Sequence, residues 1–426
     1  MRVEQLELTN FRGIRHLVLE FPTQTTVLVG INGVGKSAVL DALATLLERL
    51  IFNLKTSPGP GIFLVTTGEY APSAERDIRV GADSLELTVQ VTEGADSFSW
   101  RRTTSGLNWK RAEGLSEVVG GLVDRLKGKA SLPLVVQYST SRGQWSDTTH
   151  SDSQGTNSPE KAFQDAFPAG RKTFDAFYAW FREREDIENE ERAQGKLDFK
   201  DPQLEAVRTA VAALLQGFSN LRIERKRRRM TVQKDDEILD VTQLSSGEKA
   251  LLTLVSDLAR RLSIVNPRSA NPRLEEGVVL IDEVDLHLHP RWQRMLLPSL
   301  ERTFPNCQFI VTTHSPQVIS EVKPECIYLL ERKDGETVAR RPESSFGLDS
   351  NRILEDLMGV DERPRRIKEQ LTRFFRLIDE GKLDEAKALR QQLEEEIGSD
   401  EPSFAKGEVL IRRKEMLAGA PDRPQR

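Results

Sequence analysis

The run Gly30-Ile31-Asn32-Gly33-Val34-Gly35-Lys36-Ser37 constrains this chain more than any other stretch. An apolar segment, Thr25 to Val29, leads into it, and a segment with Leu40, Leu43, Leu47 and Leu50 on one helical face leads out. Strand, glycine loop and helix in that order curl backbone N–H groups around a phosphate. Lys36 then supplies positive charge to the outer phosphate oxygens, and Ser37 offers a hydroxyl to a divalent cation.

Two further segments extend this chemistry. Gly277 to Ile281 is an apolar strand that ends in Asp282 and Glu283. At a strand's carboxyl end Asp282 can join a Mg²⁺ shell, while Glu283 can orient or deprotonate an attacking water. Leu244-Ser245-Ser246-Gly247-Glu248-Lys249 precedes a helix marked by Leu251, Leu254, Leu258 and Leu262. Ser245 and Gly247 at that helix start form a second anion-binding point, while Ser245 with Glu248 also reads as a capping box. A γ-phosphate held by one copy of the chain and met by the second point of another copy makes hydrolysis a reaction between subunits.

Composition narrows the class. The 61 Lys and Arg against 66 Asp and Glu give a net charge of −5, so any nucleic-acid contact is a local patch. No apolar run approaches the roughly 18 residues of a membrane span. The opening Met1-Arg2-Val3-Glu4-Gln5 lacks the apolar stretch of a signal peptide, which gives a cytoplasmic expectation. Two cysteines, Cys307 and Cys326, are too few for a disulfide framework.

Patterning sets out the rest. Leu6 and Leu8, then Leu17, Leu19 and Phe21, predict a hairpin around Asn10-Phe11-Arg12-Gly13; Asp77 to Trp109 alternates as an antiparallel accessory sheet. Leu132 to Tyr138 is an apolar strand, and the polar stretch Ser141 to Glu160 is expected to be a mobile loop. Residues 161–220 read as a helical insertion, with Phe174, Phe177 and Phe181 at helical spacing. Leu221 to Val241 is strand-like, and strand and helix alternate from Leu244 to about Leu330, the pattern of a parallel sheet. After Phe346 two amphipathic helices, carrying Ile367, Leu371, Phe374, Phe375 and Ile378, then Ala386, Leu389, Leu393 and Ile397, predict a helical hairpin. The expected layout is an α/β head in two halves, 1–160 and 221–345, with an insertion at 161–220 and a tail at 346–426.

Taken together, these motifs resemble the ABC-type ATPases of the SMC, RecF and defence-nuclease group. The resemblance implies a mixed sheet plus an antiparallel accessory sheet, with ATP and Mg²⁺ as cofactors. Asn32, Gly33, Val34, Gly35, Lys36, Ser37 and Ala38 match the Walker A site, and Leu244 to Lys249 matches the signature motif. Asp282 and Glu283 match the Walker B pair, with Ser37 and Asp282 on the metal. Asp285 matches the D-loop acid, His314 the switch histidine, and Arg12 the N-terminal arginine that contacts nucleotide. Gln137 reads either as a Q-loop glutamine or as ordinary strand-end chemistry. His287 and His289 do not read as a zinc site, because no third ligand lies at suitable spacing.

Only 209 residues separate Lys36 from Ser245, too few for an SMC coiled-coil arm, and no Toprim-like metal pair follows His314. In layout the chain is most similar to the PtuA ATPases of Septu antiphage systems, whose relatives also accompany retrons. That implies a homodimer closed around ATP, higher assembly, and control of a separately encoded HNH nuclease, PtuB. A RecF-like repair ATPase and an ATP-gated scaffold with little turnover are the alternatives. The run Lys226 to Arg229 is read either as a DNA contact or as a solvated edge strand. The tail is expected to dock a partner, to support oligomerisation, or to pack on the ATPase core.

Overall fold

The computed structural model describes residues 1–56, 74–106, 108–126, 133–143, 159–167 and 173–418. Most of the polar stretch expected to be a loop, residues 144–158, lies outside the described residues. Contacts divide the chain into two units, Met1–Ile353 and Leu354–Arg426.

The first unit starts as the alternating leucines require. Strands β1 (Arg2–Phe11) and β2 (Ile14–Glu20) form the hairpin, with Leu6 facing Leu19 and Leu8 facing Leu17. Between them Arg12 takes a left-handed φ of 51°. After β3 (Thr25–Val29), strands β4 (Glu86–Glu93), β5 (Asp96–Ser105) and β6 (Asn108–Trp109) complete a five-stranded antiparallel sheet in the order β2-β1-β4-β5-β6. This is the accessory sheet, and its inward leucines and valines are buried.

The second sheet positions the chemistry. Strand β7 (Leu134–Tyr138) comes first. After β8 (Phe218–Glu224), β9 (Arg229–Lys234) and β10 (Glu237–Asp240), which form a separate antiparallel trio, come β11 (Gly277–Ile281), β12 (Cys307–Thr313), β13 (Ile327–Lys333) and β14 (Glu336–Arg340). The order β14-β13-β3-β12-β11-β7 is parallel except at β14. Every residue of β3, β7, β11 and β12 is buried, which explains why these strands are largely apolar and do not alternate. Register aligns Tyr138 with Ile281, Ile281 with Val311, and Thr313 with Val29. The loops leaving β3, β12, β11 and β7 therefore emerge side by side, about 4.8 Å per strand apart.

Two details depart from the expectations. Residues 225–228 are the turn between β8 and β9, and only Arg229 of the basic run lies on a strand. Arg228 adopts φ 50°, and Tyr178 donates its hydroxyl to the Arg228 carbonyl at 2.9 Å. Alternation across a strand therefore does not govern Lys226, Arg227 and Arg228, which sit exposed at a hairpin tip. The tail unit holds three long helices, Arg365–Asp379, Leu383–Ile397 and Pro402–Ala418. The third escapes a periodicity reading because Val409 and Met416 are exposed beside buried Phe404 and Ile411. Phe404 meets Phe374 edge-on at 6.2 Å within that unit's core. No helix of the described residues is long and apolar enough to cross a membrane.

A buried ionic cluster ties the signature helix, Ser246–Val265, to β7. Asp257 accepts from Arg260 and Arg261, each at 2.6 Å, and from the Tyr138 hydroxyl at 2.9 Å. Arg261 continues to the carbonyls of Ala162 and Gln164. Burial pushes the Asp257 carboxyl up, but the two guanidinium groups outweigh it and hold its pKa below the ordinary value of 3.8. Asp257 therefore stabilises the fold above that pH, and this contribution is lost as pH falls below it. Asp257→Asn strands two buried cations and should cost about 3–5 kcal/mol in urea unfolding at pH 7.

Candidate functional site

The glycine loop is shaped by backbone requirements. Gly33 has φ 79° and Gly35 φ 115°, and a Cβ at Gly30 would strike the Leu330 carbonyl. Asn32 and Gly33 form an exposed crest, whereas Val34 and Ala38 are buried and Val34 accepts from the Thr337 hydroxyl at 3.0 Å. Lys36 Nζ donates to the carbonyls of Gly30 and Ile31 at 2.8 and 3.0 Å. Burial lowers the Lys36 pKa, opposed by Asp282, Glu283 and Asp285.

Parallel register brings the second motif to the first. Ser37 Oγ donates to Asp282 at 3.0 Å, and Thr312 Oγ1 donates to the same carboxylate at 2.6 Å. The Thr312 hydroxyl also accepts from the Glu283 N–H at 2.7 Å, and Thr313 donates to Asp285 at 2.5 Å. Glu283 occupies a left-handed φ of 46°. His314 follows β12 directly; burial and the nearby Lys36 lower its pKa against the pull of Asp285, Glu283 and Asp282, so the imidazole is neutral at pH 7. Lys36, Ser37, Asp282, Glu283, Asp285 and His314 thus share one neighbourhood.

Arg12 and Gln137 meet elsewhere, on the flank of the P-loop helix, Lys36–Thr56, which follows the glycine loop. Arg12 donates to Asp41 at 2.6 Å and to Asp77 at 2.7 Å, and Gln137 Nε2 donates to the other Asp41 oxygen at 2.7 Å. Burial opposes the Arg12 charge, yet the two aspartates raise its pKa. Gln137 Oε1 is buried without a hydrogen-bond partner. Asp41, one turn beyond Ser37, was not legible as the hub of these two side chains.

Ser245 is exposed and caps the signature helix in a full capping box with Glu248, by bonds of 2.9 and 3.3 Å. Burial pushes the Glu248 carboxyl up, but bonds from Lys234 and Ser245 outweigh it and leave its pKa low. Lys234 reaches Glu248 at 2.7 Å from β9. Gly247 is buried, and a Cβ there would lie 2.5 Å from the His287 carbonyl. His289 caps the helix Pro290–Thr303 by accepting from the Arg291 N–H at 3.3 Å.

Hard oxygen donors at Ser37 and Asp282 fit Mg²⁺, which is commonly held by one or two carboxylates together with substrate phosphates. Among the described residues no group of three or more His, Cys, Asp or Glu could hold a metal ion by itself.

The family described as AAA domain, putative AbiEii toxin, Type IV TA system matches residues 25–320. The chain belongs to this AAA-domain family. Relatives of the ATPase include the retron Ec83 probable ATPase of Escherichia coli, 30% identical over 488 residues, covering 97% of this chain and 87% of that protein. The retron Vc95 probable ATPase of Vibrio cholerae serotype O1 biovar El Tor is 28% identical over 404 residues, 80% of this chain and 75% of that protein. Septu protein PtuA of Bacillus thuringiensis is 24% identical over 400 residues, 89% of each chain. The chain is thus an AAA-domain ATPase similar to retron ATPases and to Septu protein PtuA.

Gly247→Ala should force the start of the signature helix off the His287 carbonyl, at a cost of about 1–3 kcal/mol. Thermal unfolding of the purified variant checks this, with a lower midpoint expected than for Gly120→Ala, where the backbone is not left-handed and a Cβ would meet nothing within 4 Å.

Proposed function

We propose that this chain is an ATP-hydrolysing switch that dimerises around nucleotide and regulates a separately encoded HNH nuclease in antiphage defence. The observation that carries the hydrolytic half is the Ser37 hydroxyl on the Asp282 carboxylate, with Glu283 next in sequence and His314 beside them. Gly30 to Ser37 cradle the phosphates through main-chain N–H groups, and Lys36 exchanges its loop carbonyls for phosphate oxygens. Mg²⁺, when bound at Ser37 and Asp282, neutralises charge on the outer phosphates. Glu283 takes the proton of the attacking water, and His314, neutral at pH 7, accepts or donates a hydrogen bond near the γ-phosphate.

Exposed Ser245 and the helix N-terminus it caps support the dimeric half of the reading, because they offer a second subunit's γ-phosphate an anion-binding surface. Retron and Septu relatives support the defence setting. The nuclease partner comes from the likeness to PtuA, and the exposed tip Lys226 to Arg228 is the candidate DNA contact.

Lys36→Ala should weaken ATP binding about a hundredfold, the scale of one or two lost charge-assisted hydrogen bonds. Glu283→Gln should retain binding, lower kcat by about 10²–10⁴-fold, and accumulate an ATP-dependent dimer. Nucleotide titration, phosphate release and light scattering test this; a Glu283→Gln chain that turns over at the wild-type rate removes Glu283 as base. Replacing Lys226, Arg227 and Arg228 with Glu should flatten the salt dependence of DNA binding by the assembled complex, read by filter binding across salt concentrations.

A further inference from the structure

The segment leaving β7 returns beneath the Glu283 turn and brings Arg142 with it. Arg142 is 3% exposed, and its guanidinium donates to main-chain carbonyls. Nη1 reaches Asp282 at 2.6 Å and Ser139 at 3.2 Å, while Nη2 reaches Glu283 at 2.6 Å and Val284 at 3.3 Å. The planar fork thus spans consecutive carbonyls of the turn that carries both acids, a geometry that a point-like ammonium cannot reproduce. Burial lowers the guanidinium pKa to about 10, countered by Asp285, Asp282 and Glu283, so the group is charged at pH 7.

From the opposite side, Thr312 accepts from the Glu283 N–H. Glu283 is held between the two grips at φ 46°, a left-handed backbone that L-residues other than Asn and Asp seldom adopt. The direction in which a side chain leaves the main chain follows from that backbone. Nothing in the local sequence favours it: Glu283 is neither a glycine nor an asparagine. Main-chain bonds from the Val284 N–H to Thr312 and from the Leu286 N–H to Glu283 also hold the turn, and Arg142, 141 residues earlier in the chain, adds a side-chain grip on its carbonyls.

We propose that Arg142 is a positioning residue for ATP hydrolysis, gripping the carbonyls of Asp282 and Glu283 so that the Glu283 carboxylate is aimed at the attacking water. The inference rests on the reading of Glu283 as base. It assigns Arg142 no contact with nucleotide, so its loss acts on turnover and leaves ATP binding intact.

The test uses the full chain with ATP and Mg²⁺, measuring ATP affinity, thermal midpoint and the single-turnover rate. Arg142→Lys should lower the rate tenfold or more with ATP affinity unchanged within twofold, and Arg142→Met should lower it further. In the double variant Arg142→Met with Glu283→Gln, the rate should equal that of Glu283→Gln alone, because no base is left to aim. An arginine that merely supported the fold would give losses that multiply. Multiplying losses, or Arg142→Lys at the wild-type rate, overturn the inference; if Arg142→Met does not fold, Arg142→Lys decides alone. A wild-type chain that binds ATP without hydrolysing it sinks the reading of Glu283 and this inference together. Hydrolysis abolished by Glu283→Gln but untouched by Arg142→Lys sinks the inference alone.

Discussion

One carboxylate joins parts of the chain that are remote in sequence. Asp282 accepts from Ser37, 245 residues earlier, and from Thr312, 30 residues later. Those bonds hold the first turn of the P-loop helix against the ends of β11 and β12. A charge at the rim of four fully buried strands is tolerated because hydroxyl donors meet it from both sides and solvent remains within reach. The remaining groups of the pocket take their places from this junction: the Thr312 hydroxyl that serves Asp282 also fixes the main chain of Glu283, and Thr313 next to it fixes Asp285. The parallel register matters because a slip of one residue would turn Thr312 to the opposite face of the sheet.

The legible parts of the site were those written in consecutive residues. Gly33 and Gly35 announce their left-handed backbone, Ser245 and Glu248 announce a capping box, and the apolar run before Asp282 announces a buried strand. Each is a local rule with a local cause. The main sheets and the helical tail could be anticipated for the same reason, since period and burial coincide in β1, β2, β11 and the helix Arg365–Asp379. What stayed hidden depends on pairs brought together only by folding. Asp41 looks like one polar residue on a leucine-rich helix, yet it receives Arg12 and Gln137 from two different strands or turns. Arg142 sits among serines with no pattern around it. The basic run misled because its charge drew attention away from the turn geometry: Arg225 is paired with Glu185 and Asp186, and Arg229 with Glu224, leaving the middle residues at the tip.

The signature helix shows how apolar periodicity can conceal polar anchoring. Its leucines pack as their spacing requires, but Asp257, Arg260 and Arg261 are buried alongside them. Such a cluster stabilises little compared with well-packed apolar residues, and the bonds that leave the helix, from Tyr138 to Asp257 and from Arg261 to the carbonyls of Ala162 and Gln164, are directional anchors for its orientation. The same helix is fastened at its start by Lys234 and along its length by Tyr138 and the carbonyls of residues 162 and 164.

At the opposite face of that start, Gly247 lies against the His287 carbonyl with no room for even a methyl group. His287 is two residues past Asp285, which Thr313 grips from the neighbour of His314. The helix start and the loop at His287 are therefore in direct backbone contact, and any side chain at residue 247 would act as a spacer that pushes the two apart.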